Sequence, residues 1–230
     1  MKVLVVIPAY NEQENISRVV DNLIQNNPQF DYVVVNDGSR DDTAQICRQN
    51  GYNLIDLPVN LGLAGGFQAG LKYAHKKDYD AAIQFDADGQ HLPQFIQPMI
   101  DEMKSKGVDI VIGSRFVTEK KPVSLRMFGS YLIAFAMKLT TGKKLTDPTS
   151  GMRLFNKKMI KEFALDANYT PEPDTISYLM KNGATVSEIQ VEMAERIAGE
   201  SYLNPVNAMK YMTKMGISII LIQWFRKRRG

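Results

Sequence analysis

Residues 81–91 are Ala81-Ala82-Ile83-Gln84-Phe85-Asp86-Ala87-Asp88-Gly89-Gln90-His91, a short apolar run followed by two carboxylates one residue apart and a glycine. The apolar run predicts a buried strand, and the glycine predicts a turn directly after it. Carboxylates at the end of a strand offer hard oxygen ligands, the chemistry that holds Mg²⁺ or Mn²⁺ against phosphate oxygens. This stretch therefore indicates a nucleotide-dependent enzyme.

The alternation of strand and helix extends on both sides of this stretch. Strand-length apolar runs are found at 3–7, 32–35, 54–57, 81–85 and 109–112, and helix-length segments at 12–25, 41–49, 63–76 and about 93–104. Because the runs are continuously apolar, both faces of each strand are expected to be covered, as in a parallel sheet with crossover helices. The first half of the chain is thus predicted to be a doubly wound α/β unit that binds ligands outside the carboxyl ends of its strands.

Composition narrows the class of protein further. A length of 230 residues fits one large α/β domain, and the formal net charge is only +3. Four of the cations lie at 226–229, and without them 24 Lys and Arg face 25 Asp and Glu, so the chain has a basic tail and no nucleic-acid-binding surface is expected. A single cysteine, Cys47, and an N-terminus without signal-peptide features lead us to expect a cytoplasmic protein.

Polar residues follow each predicted strand, at 8–12, 36–43 and 60–62. Asp37 is placed to accept a hydrogen bond from a base N–H or a ribose hydroxyl, although a turn or helix-capping role explains it as well. The glycine-rich segment 60–66 either brings backbone N–H groups to a phosphate or lets a helix pack tightly on the sheet. It matches neither a Walker loop nor Gly-x-Gly-x-x-Gly, which argues against ATPases and dinucleotide oxidoreductases.

Six ordered motifs together resemble family 2 glycosyltransferases of the GT-A fold, and more closely the dolichyl-phosphate mannose synthase and polyprenyl-phosphate hexosyltransferase branch. The motifs are Pro8-Ala9-Tyr10-Asn11-Glu12, Val35-Asn36-Asp37-Gly38-Ser39, Asn60-Leu61-Gly62, Asp86-Ala87-Asp88-Gly89-Gln90-His91, Gly113-Ser114-Arg115 and Asp147-Pro148-Thr149-Ser150-Gly151-Met152-Arg153. The resemblance implies a GT-A domain over residues 1–200, with a mostly parallel central sheet and helices on both faces. It also implies a membrane-interface helix at 124–141, and the sequence itself predicts a C-terminal amphipathic basic helix at 203–230.

The resemblance further implies a metal-dependent enzyme that inverts the anomeric centre by direct attack. It assigns Asp88 and Gln90, with Asp86 as a further candidate, to a Mg²⁺ or Mn²⁺ ion. The implied donor-binding residues are Pro8, Ala9, Tyr10, Glu12, Asp37, Asn60, Gly62 and Asp86. The implied catalytic residues are Asp86, Asp88, Arg115, Asp147 and Arg153.

The acceptor half of the site is implied to hold a phosphate through Arg115, Ser150 and Arg153. A guanidinium fork suits that role because it binds two phosphate oxygens at once and stays charged, although a structural salt bridge is the alternative for either arginine. Asp147 has two interpretations. It is a general base if the acceptor is a hydroxyl, or an organiser of its loop if the acceptor is a phosphate, which is already anionic near neutral pH.

Two segments of the second half bear on the membrane. Residues 125–139 are almost wholly apolar yet too short to span a bilayer, so they predict a buried or an interfacial helix, and the resemblance favours the interfacial one. Residues 205–229 combine an apolar stretch with Trp224 and the basic cluster, which suits anionic headgroups or, alternatively, packing on the domain or a partner. The loop 118–122 is expected to close over the substrates.

The leading hypothesis is a hexosyltransferase that uses a nucleotide sugar, preferably a UDP-sugar, and a polyprenyl-phosphate acceptor at the cytoplasmic membrane face, for cell-surface glycan synthesis. We expect it to be peripheral on the inner face, and both a small membrane partner protein and a homo-oligomer stay open. One alternative is transfer to a hydroxyl of a lipid-linked or cell-wall polysaccharide. Another is a catalytically silent nucleotide-sugar-binding subunit, against which the intact Asp86, Asp88, Arg115 and Arg153 argue.

Overall fold

The computed structural model describes residues 1–122, 125–166, 172–195 and 205–222. Its described strands form one seven-stranded sheet in the order β3-β2-β1-β4-β6-β5-β7. The strands are β1 (Val3–Ala9), β2 (Asp31–Asn36), β3 (Leu54–Asp56), β4 (Ala81–Gln84), β5 (Ile110–Ser114), β6 (Arg153–Asn156) and β7 (Val186–Gln190).

The helices lie on both faces of this sheet. A 3-10 turn at Pro93–Phe95 leads into α4, and a π-helical turn at Ser218–Ile222 continues α8. The described helices are α1 (Ile16–Asn26), α2 (Thr43–Gln49), α3 (Gly62–Lys76), α4 (Ile96–Lys106), α5 (Leu125–Thr141), α6 (Lys157–Leu165), α7 (Pro173–Lys181) and α8 (Pro205–Ile217).

The predicted mostly parallel sheet is confirmed, with one antiparallel strand inside it. Strands β3, β2, β1 and β4 are mutually parallel, and β5 is parallel to β7. Strand β6 is antiparallel to both of its neighbours, and its Leu154 pairs with Ile83 on one side and Val111 on the other. All five strands predicted for the first half are present, whereas β6 and β7 were not predicted.

The buried core lies on both sides of the sheet, which explains the continuous apolar runs. Along β1, Val3, Val5 and Ile7 contribute to the cluster beneath α1 and α4, while Leu4 and Val6 contribute to the cluster beneath α3, α5 and α6. Successive side chains of a strand point to opposite faces of the sheet. When helices cover both faces, every position of the strand is buried and is expected to be apolar. Every residue of β1 is buried.

The two helices assigned to the membrane are described in part. Residue 124 lies outside the described residues, and so do residues 203–204 and the whole of 223–230, which includes Trp224 and the basic cluster. Helix α5 packs against α8, where a Cβ on Gly129 would lie 2.5 Å from Cγ of Met212. Among the residues that the structure describes, no helix is both long and apolar enough to cross a bilayer.

Candidate functional site

The loops after β1 and β2 are fastened to each other at the carboxyl edge of the sheet. The N–H of Asn11 donates to Oγ of Ser39 (3.0 Å), and the N–H of Arg40 donates back to Oδ1 of Asn11 (2.9 Å). The N–H of Glu12 donates to Oγ1 of Thr43 (2.9 Å). Because parallel strands end at the same edge, the two polar loops form one wall, as the sequence predicted.

Asp37 lies behind this wall and has an unsatisfied oxygen. Its side chain is buried, and Oδ1 accepts the N–H of Leu61 (2.7 Å) just before α3. Its Oδ2 has no hydrogen-bond partner among the described residues. A buried acceptor without a donor is costly, and a ligand N–H or O–H would satisfy it. Asp37 therefore suits contact with a nucleoside.

The glycine-rich segment at the start of α3 packs closely on Asp37. A Cβ on Gly66 would lie 3.5 Å from Cβ of Asp37, and the N–H of Gly62, at φ +78°, donates to Oδ1 of Asn60 (3.1 Å). A carboxylate already occupies the positive end of the α3 dipole, which disfavours a second anion there. Of the two interpretations of this segment, tight packing fits the geometry better than a phosphate contact.

Asp86, the first residue of the acidic pair, is oriented by a buried histidine. Its backbone N–H donates to Nδ1 of His91 (2.8 Å), and its Oδ1 accepts from Nε2 of Gln84 (2.8 Å). Since Nδ1 is an acceptor, the proton of neutral His91 is on Nε2, which lies 3.7 Å from Oδ2 of Asp86. The His91 side chain is buried and packs on Phe85.

Asp88 and Gln90 are held in a tight turn. Oδ1 of Asp88 accepts the N–H of Gln90 (3.0 Å), and Gly89 between them has φ +80°. A side chain at Gly89 would be strained at this φ, and its Cβ would lie 2.7 Å from Nη2 of Arg18. The carbonyl of Gln90 accepts the N–H of Ala194 (2.9 Å). Hydrogen bonds within the turn and to residue 194 therefore both hold Gln90 in place.

The acidic turn offers a suitable set of oxygen donors for a divalent cation. Two carboxylates, Asp86 and Asp88, and the amide of Gln90 are the hard ligands that Mg²⁺ and Mn²⁺ take. Within the described part of the chain, no group of three His, Cys, Asp or Glu side chains converges. A cation here would complete its ligand set with water or substrate phosphate oxygens, as Mg²⁺ usually does.

Arg115 and Asp147 form a two-pronged ion pair. Nε of Arg115 donates to Oδ2 of Asp147 (2.7 Å), and its Nη2 donates to Oδ1 (3.0 Å). The Asp147 side chain is fully buried, and its backbone N–H donates to Oε1 of Glu188 (2.8 Å). With both carboxylate oxygens occupied, Asp147 is suited to organise its loop and to orient Arg115.

Glu188 and Tyr211 border the site and were not found from the sequence. Glu188 also accepts both donors of Thr146 (2.6 and 3.0 Å), so it holds the loop that carries Asp147. It lies on β7, which shows no apolar run. Tyr211 lies on α8, and burial, together with the charge of Glu172, raises its pKa. No local motif signals either residue.

Arg153 lies deeper than Arg115. It is 3% exposed, and its Nη2 donates to the carbonyl of Pro148 (2.8 Å). Burial lowers the pKa of Arg153, while Tyr211, Asp147 and further carboxylates oppose that shift. Ser150 is also buried, and its hydroxyl donates to the carbonyl of Gly113 (2.5 Å), so this side chain supports the turn. A phosphate contact by Ser150 stays a prediction.

The remaining predicted donor residues lie at the same edge of the sheet. Pro8 and Ala9 are buried at the end of β1, and Tyr10 is half-buried. Oε2 of Glu12 accepts from Nδ2 of Asn15 (2.8 Å). The structure thus brings the predicted donor, metal and arginine residues to one edge, and their individual roles stay predictions.

The fold is of the GT-A type: an acidic turn follows a central strand of a mostly parallel sheet, and the hydrogen-bonded loops after β1 and β2 lie at the same edge. A family model described as glycosyl transferase family 2 matches residues 4–164. The chain belongs to this family, and it is a glycosyltransferase.

Individual relatives agree with this membership. The chain is 31% identical over 214 residues to a UDP-N-acetylglucosamine–dolichyl-phosphate N-acetylglucosaminyltransferase of Methanococcus voltae, a match covering 83% of this chain and 84% of the relative. It is 29% identical over 217 residues to an undecaprenyl-phosphate mannosyltransferase of Micrococcus luteus, covering 89% and 88%. Among solved structures, glucosyl-3-phosphoglycerate synthase of Mycobacterium tuberculosis with Mn²⁺, UDP and phosphoglyceric acid has a TM-score of 0.71 at 17% identity, covering 100% and 80%. This last likeness concerns the fold.

Proposed function

We propose that this enzyme transfers a hexose from a nucleotide sugar, preferably a UDP-sugar, to a polyprenyl phosphate at the cytoplasmic face of the membrane. The observation that carries the proposal is that the turn at 147–148 binds two guanidinium groups, since Arg115 pairs with Asp147 and Arg153 donates to the carbonyl of Pro148. Relatives named for undecaprenyl-phosphate and dolichyl-phosphate acceptors support it.

The donor is proposed to lie along the wall formed after β1 and β2. Asp37 offers its unsatisfied Oδ2 to the base or ribose, and the loop with Pro8, Ala9 and Tyr10 encloses the nucleoside. This places the diphosphate at the acidic turn. A Mg²⁺ or Mn²⁺ ion held by Asp88, Gln90 and Asp86 would neutralise charge on the departing nucleoside diphosphate.

The acceptor phosphate is proposed to meet the arginines. Arg115 keeps part of its side chain accessible, 24% of its surface, while its fork is held by Asp147. Because a phosphate monoester is already anionic near neutral pH, it needs no base to attack the anomeric carbon. The arginines would hold the attacking oxygen in line with the leaving group, and Asp147 would keep Arg115 in place.

The membrane is proposed to contact an apolar face made by α5 and the C-terminal helix, here called the apolar face. Its exposed side chains are Tyr131, Leu132, Phe135, Leu139, Ile217, Ile220 and Leu221. The opposite side of α5 buries Ile133, Ala136 and Met137 in the core. An apolar patch of this kind beside a site for a lipid substrate favours peripheral binding, with the site facing the bilayer.

Replacing Phe135 by aspartate is expected to weaken membrane binding at least about tenfold, because it removes an exposed aromatic ring that would insert among the lipids and adds a charge there. Co-sedimentation with vesicles of phosphatidylcholine and phosphatidylglycerol measures the partitioning. Leu165→Asp is the matched control, since Leu165 is 67% exposed on α6, outside the apolar face. Equal partitioning of the two variants would contradict the membrane assignment.

Incubation with UDP- and GDP-hexoses tests the proposed reaction directly. The protein is given polyprenyl phosphate, the corresponding polyprenol or a polysaccharide acceptor, each with radiolabelled donors. Label is expected in a mild-acid-labile lipid, only with polyprenyl phosphate, and preferentially from a UDP-hexose. Label that enters only polymer would favour the hydroxyl-acceptor alternative and overturn the proposal.

A further inference from the structure

Lys121 precedes α5 and has an unusual environment for a lysine. Its Nζ donates to Oγ of Ser130 (3.0 Å), and it lies 4.8 Å from the centroid of the Tyr131 ring and 5.4 Å from that of Phe116. Burial lowers the pKa of Lys121, an effect that Asp147 partly offsets. By contrast, the preceding residue, Lys120, is exposed.

Lys121 has aromatic neighbours for its charge but no carboxylate partner among the described residues. Within the described residues it makes no ion pair, because the nearby carboxylate of Asp147 is bound on both oxygens by Arg115. An ammonium has three donors, and one of them is accounted for by Ser130. Desolvating a lysine without a carboxylate partner is unfavourable unless another anion binds it.

The neighbours of Lys121 connect the apolar face with the ion pair of Arg115 and Asp147. Tyr131 is 52% exposed and belongs to the apolar face. Ser130 is buried and lies 3.4 Å from Oγ1 of Thr149, which in turn donates to Oδ1 of Asp147 (3.2 Å). Lys121 thus contacts Tyr131 of the apolar face directly, and it is linked through Ser130 and Thr149 to the ion pair of Asp147 with Arg115.

We propose that Lys121 is a specificity-determining residue that binds the phosphate of the lipid acceptor and thereby selects phosphate over hydroxyl acceptors. This inference rests on the proposed function and adds to it a cation outside the two arginines. The aromatic rings of Phe116 and Tyr131 hold the ammonium in place, and its unused donors bind phosphate oxygens as a point charge.

Kinetics with Lys121→Met and Lys120→Met test this role, since the two variants lose the same charge one residue apart. For Lys121→Met, the KM for a short-chain polyprenyl phosphate is expected to rise about tenfold, with the donor KM and the melting temperature unchanged. Lys121→Arg is expected to recover most of the loss, and Lys120→Met to behave as wild type. Equal acceptor KM values for the two methionine variants would overturn the inference.

A second measurement uses the wild-type protein and does not depend on how a variant folds. Acetylation of lysines is followed by mass spectrometry with polyprenyl phosphate, with polyprenol or without lipid. Polyprenyl phosphate alone is expected to protect Lys121, and no lipid to protect Lys120. Equal protection of Lys121 by polyprenol would refute phosphate binding there, whereas a wild-type protein that transfers no sugar to polyprenyl phosphate would refute the proposed function itself.

Discussion

Asp88→Ala is expected to lower the rate of metal-dependent sugar transfer by about 10²–10³-fold, the loss typical of removing one group that stabilises charge in a transition state. The physical reason is the position of Asp88, which is 8% exposed at the turn after β4 with one oxygen bound by the N–H of Gln90. Turnover is measured with the best donor of the panel, with and without chelator, and Mn²⁺ binding is followed by electron paramagnetic resonance.

A second variant of Asp88 distinguishes loss of the negative charge from loss of the turn structure, and a variant on α4 is the control. Asp88→Asn keeps an acceptor for the N–H of Gln90 and loses the negative charge, so it is expected to keep the wild-type melting temperature and still bind Mn²⁺ poorly. Asp101→Ala is the control, because Asp101 is an exposed aspartate on α4. If wild type and Asp88→Ala give the same background turnover, the metal-dependent enzyme hypothesis fails.

Asp147→Asn is expected to destabilise the protein by about 3 kcal/mol and to lower activity through Arg115. The substitution puts amide donors opposite the guanidinium donors and leaves a partly buried cation without its partner. Urea unfolding measures the loss of stability. A double-mutant cycle with Arg115→Met is expected to give a total cost smaller than the sum of the two single costs, since the paired groups are removed together.

The control for this pair is Asp78→Asn, which removes an ion pair between Asp78 and Lys157 on the surface. Exposed pairs contribute little, so the free energy of unfolding is expected to stay nearly unchanged, and Asn tolerates the positive φ of Asp78. A general base at Asp147 predicts the opposite pattern, with stability preserved in Asp147→Asn and activity lost only with hydroxyl acceptors. That result would replace the loop-organising role.

The strands of the first half could be predicted because each is buried on both faces. A run such as 3–7 has no exposed position, so hydrophobicity alone marks it. Strand β6 has four residues and β7 is only half-buried, so neither shows a comparable run. Their places in the sheet follow from pairing with β4 and β5, which are distant in the sequence.

Some features of the candidate site could be predicted from the sequence, and others depend on contacts between distant parts of the chain. The acidic turn and Asp37 directly follow strands, so local order along the chain was enough to place them at one edge. The partners of Asp147 were not predictable, because Arg115 lies 32 residues away and Glu188 lies 41 residues away on an unpredicted strand. Whether Asp147 is free to act as a base depends on those partners.

The sequence by itself determined the class of fold and the candidate site residues that lie at one edge of the sheet, because apolar strands and the polar residues that follow them are local features of the chain. Only the tertiary structure decided what those residues can do. Arg115 binds both oxygens of Asp147, one oxygen of Asp37 has no donor among the described residues, and the ammonium of Lys121 lies beside the rings of Phe116 and Tyr131. Hydrogen bonding and desolvation depend on neighbours in space, and folding brings those neighbours together from distant parts of the chain.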